Sequence, residues 1–485
     1  MTSLSLDQTA SAAVGAIKRT NFRWWIVVML FVVTSVNYAD RAVLAITGPV
    51  LSKELGINAA QMGFIFSAFG WSYVLGQLPG GWLLDRFGTR VVYALSIFVW
   101  SLVTILQGFV GFFAGATAVA VLFALRFAVG FAEAPSFPGN SRTVAAWFPR
   151  QERATAAAIF NSAQYFATVI FAPIMGWITQ SAGWPWAFGF MGGLGIVVSA
   201  IWLKVVRAPA VHPSVNDAER AYIAEGGGLV NMDSPAPAAA SAKDGAKWDY
   251  IRQMFANRMM VGIFIGQFCI NALTYFFITW FPVYLVKERG LSILKAGFIA
   301  SVPAICGFAG GILGGLISDW LLKRGYSLSV ARKTPIVMGM LLSMSMVACN
   351  YTDQVPVVVF FMALAFFGKG IGALGWAVMS DCAPKEITGL AGGVFNMCGN
   401  ISSITTPIII GYIVQTTGSF NGALVFVAAN GLIAAISYLL VVGEIKRMEL
   451  RKCPRGGGVP DPAAPFGPPP DSSHPRGSPC TSANN

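Results

Sequence analysis

Gly81-Trp82-Leu83-Leu84-Asp85-Arg86-Phe87-Gly88-Thr89-Arg90 and Gly315-Leu316-Ile317-Ser318-Asp319-Trp320-Leu321-Leu322-Lys323-Arg324 are two copies of one short turn, and their aspartates lie 234 residues apart. Each copy follows an apolar run and ends in basic residues. A second pair keeps the same offset. Phe160, Asn161, Pro173 and Gly176 match Phe395, Asn396, Pro407 and Gly411 at separations of 235, 235, 234 and 235. Two motifs repeating in register define a chain made of two similar halves.

Each half consists of segments long enough to cross a bilayer, which takes about 20 apolar residues. Twelve such segments are predicted, near 24–46, 59–83, 91–112, 117–138, 155–180 and 186–206, then 257–285, 296–318, 334–351, 357–380, 389–415 and 421–443. They are read as helices, because a lone spanning segment in lipid satisfies its own backbone polar groups only in that form. The composition agrees: 55% of the 485 residues are hydrophobic and 11% charged, against about 25% charged in soluble domains. The expected fold is all-α and membrane-embedded, with two pseudo-symmetric six-helix bundles. Its parts are an N-terminal arm (1–23), an N-terminal bundle (24–206), a flexible central linker (207–256), a C-terminal bundle (257–444) and a largely disordered Pro/Gly/Ser-rich tail (445–485). The arm is polar and has no apolar core followed by a small-residue cleavage site, so it reads as cytosolic.

Topology accounts for most of the charge. Of 33 Lys and Arg residues, 26 fall on the side of both termini and the central linker, and four (Lys53, Lys287, Arg289 and Lys295) on the other. That bias places both termini in the cytoplasm. It also explains the formal charge of +12 without nucleic acid. The seven cysteines show no metal-ligand spacing and read as small buried hydrophobes. No HExxH or GxSxG motif is present, and His212 and His474 lie outside the spans, so the chain does not read as an enzyme. No cofactor and no metal are called for.

Three cations, Arg41, Arg126 and Lys369, and two acids, Asp40 and Glu133, remain inside the spans. Each charge at the bilayer centre costs at least about 2.5–3.5 kcal/mol, so the five need partners or a polar cavity. Arg126 and Glu133 share a helix face about 10 Å apart along the axis. Asp40 and Arg41 point about 100° apart and must each find a partner on another helix, a cation for Asp40 and an acid or a substrate carboxylate for Arg41. Three cations against two acids favour an anion, most of all when the acids are protonated. That is a physical basis for proton–anion symport, with Asp40 and Glu133 as the only intramembrane proton carriers. Asn37, Tyr38, Tyr73, Gln77, Asn161, Gln164, Gln267, Asn271, Tyr275, Trp376 and Asn396 add polar groups suited to a polyhydroxylated solute. Gly368, Gly370, Gly372 and Gly375 allow close approach or bending around Lys369.

The turn at Gly81, Asp85, Arg86, Gly88 and Arg90 resembles the signature between the second and third helices of the major facilitator superfamily. Asn37-Tyr38-Ala39-Asp40-Arg41, the run from Arg126 to Gly139 and Phe160-Asn161-Ser162-Ala163-Gln164-Tyr165 resemble its anion:cation symporter family. The segments 136–142, 273–284 and 368–379 resemble the sugar-acid branch of that family, and the likeness spans roughly residues 18–449. The resemblance implies a monomeric importer of D-glucarate/galactarate-type hexarates with protons across a bacterial inner membrane, by rocking of the two bundles. It implies substrate contacts from Tyr38, Arg41, Tyr73, Arg126, Gln164, Trp376 and Asn396, proton transfer through Asp40 and Glu133, and a cytoplasmic gate at Gly81–Arg90 that pairs across the halves, with Asp319 in the second copy. Lys369 joins the substrate set from the charge count alone. An exchanger or a sodium-coupled carrier for a related acid, such as galactonate or a hexuronate, is the alternative.

Overall fold

The computed structural model describes residues 19–230, 244–384 and 387–450. The expectations for residues 1–18, for Lys385 and for the tail from Arg451 lie outside the described residues, as does the side chain of Asp85. The described residues up to Met448 form one compact unit.

Among the described residues, twelve long helical rods form its two halves. The first half holds α1 (Arg23–Glu54), α2 (Ala59–Phe87), α3 (Thr89–Phe112), α4 (Gly115–Trp147), α5 (Arg153–Ser181) and α6 (Trp184–Val205). The second half holds α7 (Arg258–Lys287), α8 (Ile293–Lys323), α9 (Leu328–Tyr351), α10 (Val355–Cys382), α11 (Leu390–Thr417) and α12 (Asn421–Val441). Among the described residues, eleven helices are long and apolar enough to cross a membrane. The remaining rod, α2, has 29 residues and sits where the second span was predicted.

Several rods outrun their predicted ends, because polar helix termini carry no hydropathy signal. Others break where the backbone chemistry requires it. α4 yields at Pro135, which has no N–H to donate and restricts the residue before it. α7 loosens into a π-turn at Phe276–Trp280, just ahead of Pro282. α10 ends its first segment at Ile371, caps at Gly372 and restarts at Gly375.

Small residues bring the two halves together. Gly63 of α2 packs against the backbone of Pro407 and Gly411 of α11, and the Ala59 amide donates to Gln415 Oε1 at 3.1 Å. Gly297 of α8 lies on the Ala172 carbonyl of α5, and Ser301 Oγ donates to the Val169 carbonyl at 3.2 Å. Phe66 of α2 meets Trp280 of α7 with ring centroids 5.4 Å apart. These contacts lie toward the end of the molecule that carries the α1–α2 turn. Toward the opposite end, where the chain enters α1 and leaves α6, Trp376, Met397 and Asp319 stand exposed. The halves are therefore packed together at one end, while the other carries these side chains open to solvent.

Residues 231–243 of the central segment lie outside the described residues; where it is described, the segment is folded rather than a flexible linker. Residues 207–230 fold back onto the first half through a 3-10 turn (Pro209–Val211) and a helix (Asp217–Glu225) that Asn216 caps by accepting from the Glu219 amide. A second helix, Asp244–Ala256, leads into α7. Glu219 is fully buried and receives Arg23 Nη1 at 3.1 Å and the amides of Phe22 and Arg23, with the Thr20 hydroxyl as a further donor. Arg23 Nε binds Glu152 at 2.9 Å, and the Tyr222 hydroxyl donates to Glu152 at 2.7 Å. His212 packs on Phe22 and Trp147. The segment is thus a strap joining the start of α1 to the α4–α5 turn.

Burial opposes ionisation of Glu152, but the bonds from Arg23 and Tyr222 outweigh it and hold its pKa below the usual range. Burial lowers the pKa of His212, against the opposing bond to the Val205 carbonyl. Both shifts are downward, so both groups stabilise the strap above their unfolded pKa values and lose that contribution as pH falls. For His212 the loss sets in below 6.5. Glu219→Ala removes one of the two carboxylates on Arg23 and leaves the Phe22 and Arg23 amides without their acceptor, and is expected to destabilise the first half by about 1–3 kcal/mol. Thermal melting in detergent reads this loss; an unchanged melting curve would make the strap incidental.

Candidate functional site

Four of the five intramembrane charges meet between α1, α3 and α4. Asp40 and Arg41 are adjacent on α1 and diverge, as the helical period requires. Arg41 Nε donates to Glu133 Oε2 at 2.9 Å, with the carboxylate fully buried and the arginine side chain 7% exposed. Asp40 does not take a cation at its carboxylate, as the sequence led us to expect. Its Oδ2 accepts from the Thr104 hydroxyl of α3 at 2.7 Å. Arg126 reaches the backbone carbonyls of Asp40 and Arg41 instead, at 3.4 Å each. That places its guanidinium beside Asp40 without a direct ion pair.

Aromatic rings orient the guanidinium of Arg41. Its Cζ lies 4.9 Å from the Tyr38 ring centroid, 4.6 Å from Phe69 and 4.9 Å from Tyr73. Phe69 and Tyr73 stack on each other, and Phe69 also lies 5.7 Å from Arg126 Cζ. Such cation–π contacts contribute up to about 2 kcal/mol when desolvated. Polar capacity is nevertheless left over. Asp40 Oδ1, Arg41 Nη2, Arg126 Nε, Glu133 Oε1 and both amide atoms of Asn37 are buried without a hydrogen-bond partner. Buried polar groups are rarely left unpaired in native structures. These surplus donors and acceptors all belong to one cluster on α1 and α4, and a charged, hydroxylated ligand would satisfy them.

A cavity of about 30 Å³ lies beside this cluster, between the halves. Tyr38, Gln164, Tyr165 and Thr168 line it from the first half, and Thr274, Phe277 and Phe366 are among its walls from the second. It has room for about one water molecule, so a larger solute needs the halves to move apart. Lys369 of α10 is 5% exposed, with Nζ 5.1 Å from the Phe366 ring centroid and 5.8 Å from that of Tyr165.

The remaining polar residues form a ladder. Gln267 Nε2 donates to Asn271 Oδ1 at 3.1 Å, and the Tyr275 hydroxyl to Asn400 Oδ1 at 2.9 Å. Asn400 Nδ2 donates to Asn396 Oδ1 at 3.0 Å, and Asn396 Nδ2 to Gln77 Oε1 of the other half at 3.4 Å. Gln164 Nε2 donates to the Asn161 carbonyl, and Asn161 faces outward. Trp376 stands apart, 52% exposed and edge-on to Phe395.

At the first repeated turn, Arg90 donates to the Leu203 carbonyl of its own half at 2.6 Å, and Arg86 lies over Trp82 and Phe87. Gly88 adopts φ +83°, which favours glycine. Gly81 has open space where a side chain would stand. In the second copy Asp319 is exposed, and the neighbouring Arg332 pairs with Asp381 at 2.8 Å.

Sequence reasoning missed Thr104, Phe69, Tyr165 and Asn400. A hydroxyl or a ring in an apolar span carries no signal of its own. Tyr165, next to Gln164 in a recognisable motif, was the one that could have been found.

Comparison with known proteins follows this geometry. The sequence profile of the Major Facilitator Superfamily matches residues 30–331. A protein of Escherichia coli named a probable galactarate/D-glucarate transporter is 66% identical over 447 residues, covering 92% of this chain and 98% of its own. A protein of the same name from Bacillus subtilis is 63% identical over 435 residues, covering 90% and 95%. A D-galactonate transporter of Escherichia coli is 42% identical over 439 residues, covering 90% and 99%. Among solved structures, the D-xylose–proton symporter superposes with a TM-score of 0.67 at 15% identity, over 87% of this chain and 98% of its own. A bacterial homologue of the human lysosomal transporter Spinster gives 0.65 at 16%, over 87% and 97%.

Proposed function

The chain belongs to the Major Facilitator Superfamily, and from that premise we propose that it imports sugar diacids of the galactarate/D-glucarate class together with protons, by alternating access. The relatives' names support the substrate class. The observation that carries the coupling is the buried Arg41–Glu133 pair with unfilled valences on both partners. A proton on Glu133 removes the anion that occupies Arg41. The freed guanidinium, already held among three rings, then takes a substrate carboxylate. Proton and substrate are thereby linked at one group: the proton must be present for the carboxylate to bind well, and its release restores the ion pair that expels the carboxylate.

Arg126 supplies the second fork of the N-half anion site, since a planar guanidinium matches a carboxylate with two parallel bonds. Asp40, held by Thr104 beside Arg126, is the second proton-accepting carboxyl. Tyr38, Tyr73, Gln164, Trp376 and Asn396 contact the hydroxylated chain of the substrate as the halves close. Asn37, Gln267, Asn271 and Tyr275 frame the polar path, and Asn161, outward-facing in this conformation, joins them as the halves move. Gly81–Arg90 and Asp319 form the gate at the end opposite the α1–α2 turn.

The positive-inside bias puts that end, with both termini, in the cytoplasm of a bacterial inner membrane, so this conformation faces inward. The protein acts as a monomer, because each chain holds a complete pair of halves. Uptake of glucarate, galactarate, galactonate and glucuronate into proteoliposomes tests the assignment. The two hexarates are expected to enter fastest. A panel with no sugar-acid flux would overturn the substrate class.

A further inference from the structure

We propose that Lys369 is a second carboxylate-binding site and sets the preference of this carrier for diacids over monoacids. The inference rests on the sugar-acid reading above and deepens it. Lys369 is 5% exposed, and no carboxylate or other hydrogen-bond partner meets its ammonium among the described residues. Its neighbours are the rings of Tyr165 and Phe366. A buried ammonium without an anion is strongly disfavoured, and such charges in membrane proteins mark ligand or ion paths.

The backbone is arranged to hold it there. Gly368 packs on the Gly339 carbonyl of α9, and Gly370 packs between Gly307 and Gly311 of α8. Residues 368 and 370 project about 200° apart on a helix, so α10 is fixed against two neighbours while residue 369 projects between them. A side chain at 368 or 370 would collide with backbone. Lys369 also sits in the last turn of the first segment of α10, where the helix terminus favours a positive charge. The helix terminus thus favours the charge, but no protein anion among the described residues neutralises it.

Its position relative to the arginines decides what it binds. Arg41 and Arg126 belong to the first half and Lys369 to the second. The cavity between them carries Tyr38, which faces Arg41, and Tyr165, which faces Lys369. The cations do not line this cavity themselves, but rings in its walls touch Arg41 on one half and Lys369 on the other, and cationic sites so placed suit a ligand with a carboxylate at each end. A monoacid satisfies one site and leaves the other buried and unpaired. A diacid also ties the halves to each other, so the same contact favours closure.

The test is a chemical double-mutant cycle on the purified full-length protein. Dissociation constants are measured by calorimetry for glucarate and for its monoamide, which keeps the chain length but has one carboxylate. Wild type, Lys369→Met and Lys369→Arg are compared. In wild type, loss of one carboxylate is expected to weaken binding by about 10- to 100-fold, the range for one charge-assisted contact. In Lys369→Met glucarate weakens by the same factor, the monoamide changes less than about threefold, and Lys369→Arg keeps the diacid preference. The apo Met variant should melt at or above the wild-type temperature, since it removes an unpaired buried charge.

Equal losses of both ligands in the Met variant would make Lys369 structural and overturn the proposal. Equal wild-type affinities for glucarate and the monoamide would overturn it without any variant, so a Met protein that fails to fold does not leave the question open. If wild type binds no sugar acid, the substrate class itself fails, which is a different result.

Discussion

Glu133→Gln is expected to abolish concentrative uptake of glucarate while leaving counterflow within a few-fold of wild type. Glutamine keeps the size and hydrogen-bonding ability of a protonated glutamate, but it cannot release a proton. In the wild-type site the ionised carboxylate holds Arg41 at 2.9 Å and competes with substrate for that guanidinium. In the variant Arg41 is free throughout the cycle. Substrate affinity is therefore maintained or increased, and exchange of substrate across the membrane continues. What disappears is the step in which deprotonation restores the ion pair and expels the carboxylate. Measurement of both transport modes in the same proteoliposomes checks this. Full accumulation by the variant would remove Glu133 from the proton path and leave Asp40 as the remaining candidate.

Arg126→Ala is expected to fail differently, losing counterflow and accumulation together and weakening binding by about 100-fold or more. The Arg126 side chain bridges to the Asp40 and Arg41 carbonyls through long contacts and has an unpaired Nε, so it is only lightly committed to the protein. Its removal deletes one guanidinium of the anion site and leaves Asp40 beside a weaker positive field. Lysine at this position restores the charge but not the planar fork, so Arg126→Lys should recover only part of the affinity. Binding calorimetry beside a melting curve separates loss of the site from loss of the fold. Wild-type affinity in Arg126→Ala would exclude it from the site.

The contrast between these variants reflects what could be read from the sequence. Charges are conspicuous in an apolar background, so subtracting the topology-setting ones isolated Asp40, Arg41, Arg126, Glu133 and Lys369, and the structure gathers the first four. The helical period also showed that Asp40 and Arg41 must turn to different helices. It did not show that the partner of Asp40 would be a neutral hydroxyl, because Thr104 looks like any threonine in an apolar span. Nor did it place Phe69 beneath two guanidinium groups, since one ring among 36 phenylalanines carries no positional mark.

The repeat at offsets 234–235 exposed the two-half architecture because duplicated turns need the same glycines and charges. The strap was missed for the opposite reason. Its helix spans only Asp217–Glu225, too short to show a period, and its stability comes from Glu219 meeting Arg23 of a distant segment. The Asn216 cap was the available sign. The break in α10 after Lys369 was anticipated from its glycines, which both pack against α8 and α9 and end the first segment.

Gradient-driven transport by the wild-type protein bears most directly on the coupling of proton and carboxylate at Arg41. In sodium-free proteoliposomes with an acidic exterior, glucarate should accumulate above its external concentration and be released when a protonophore collapses the gradient. Uptake that only equilibrates, at a rate indifferent to the pH gradient, would contradict proton-coupled symport and leave an exchanger or uniporter in its place.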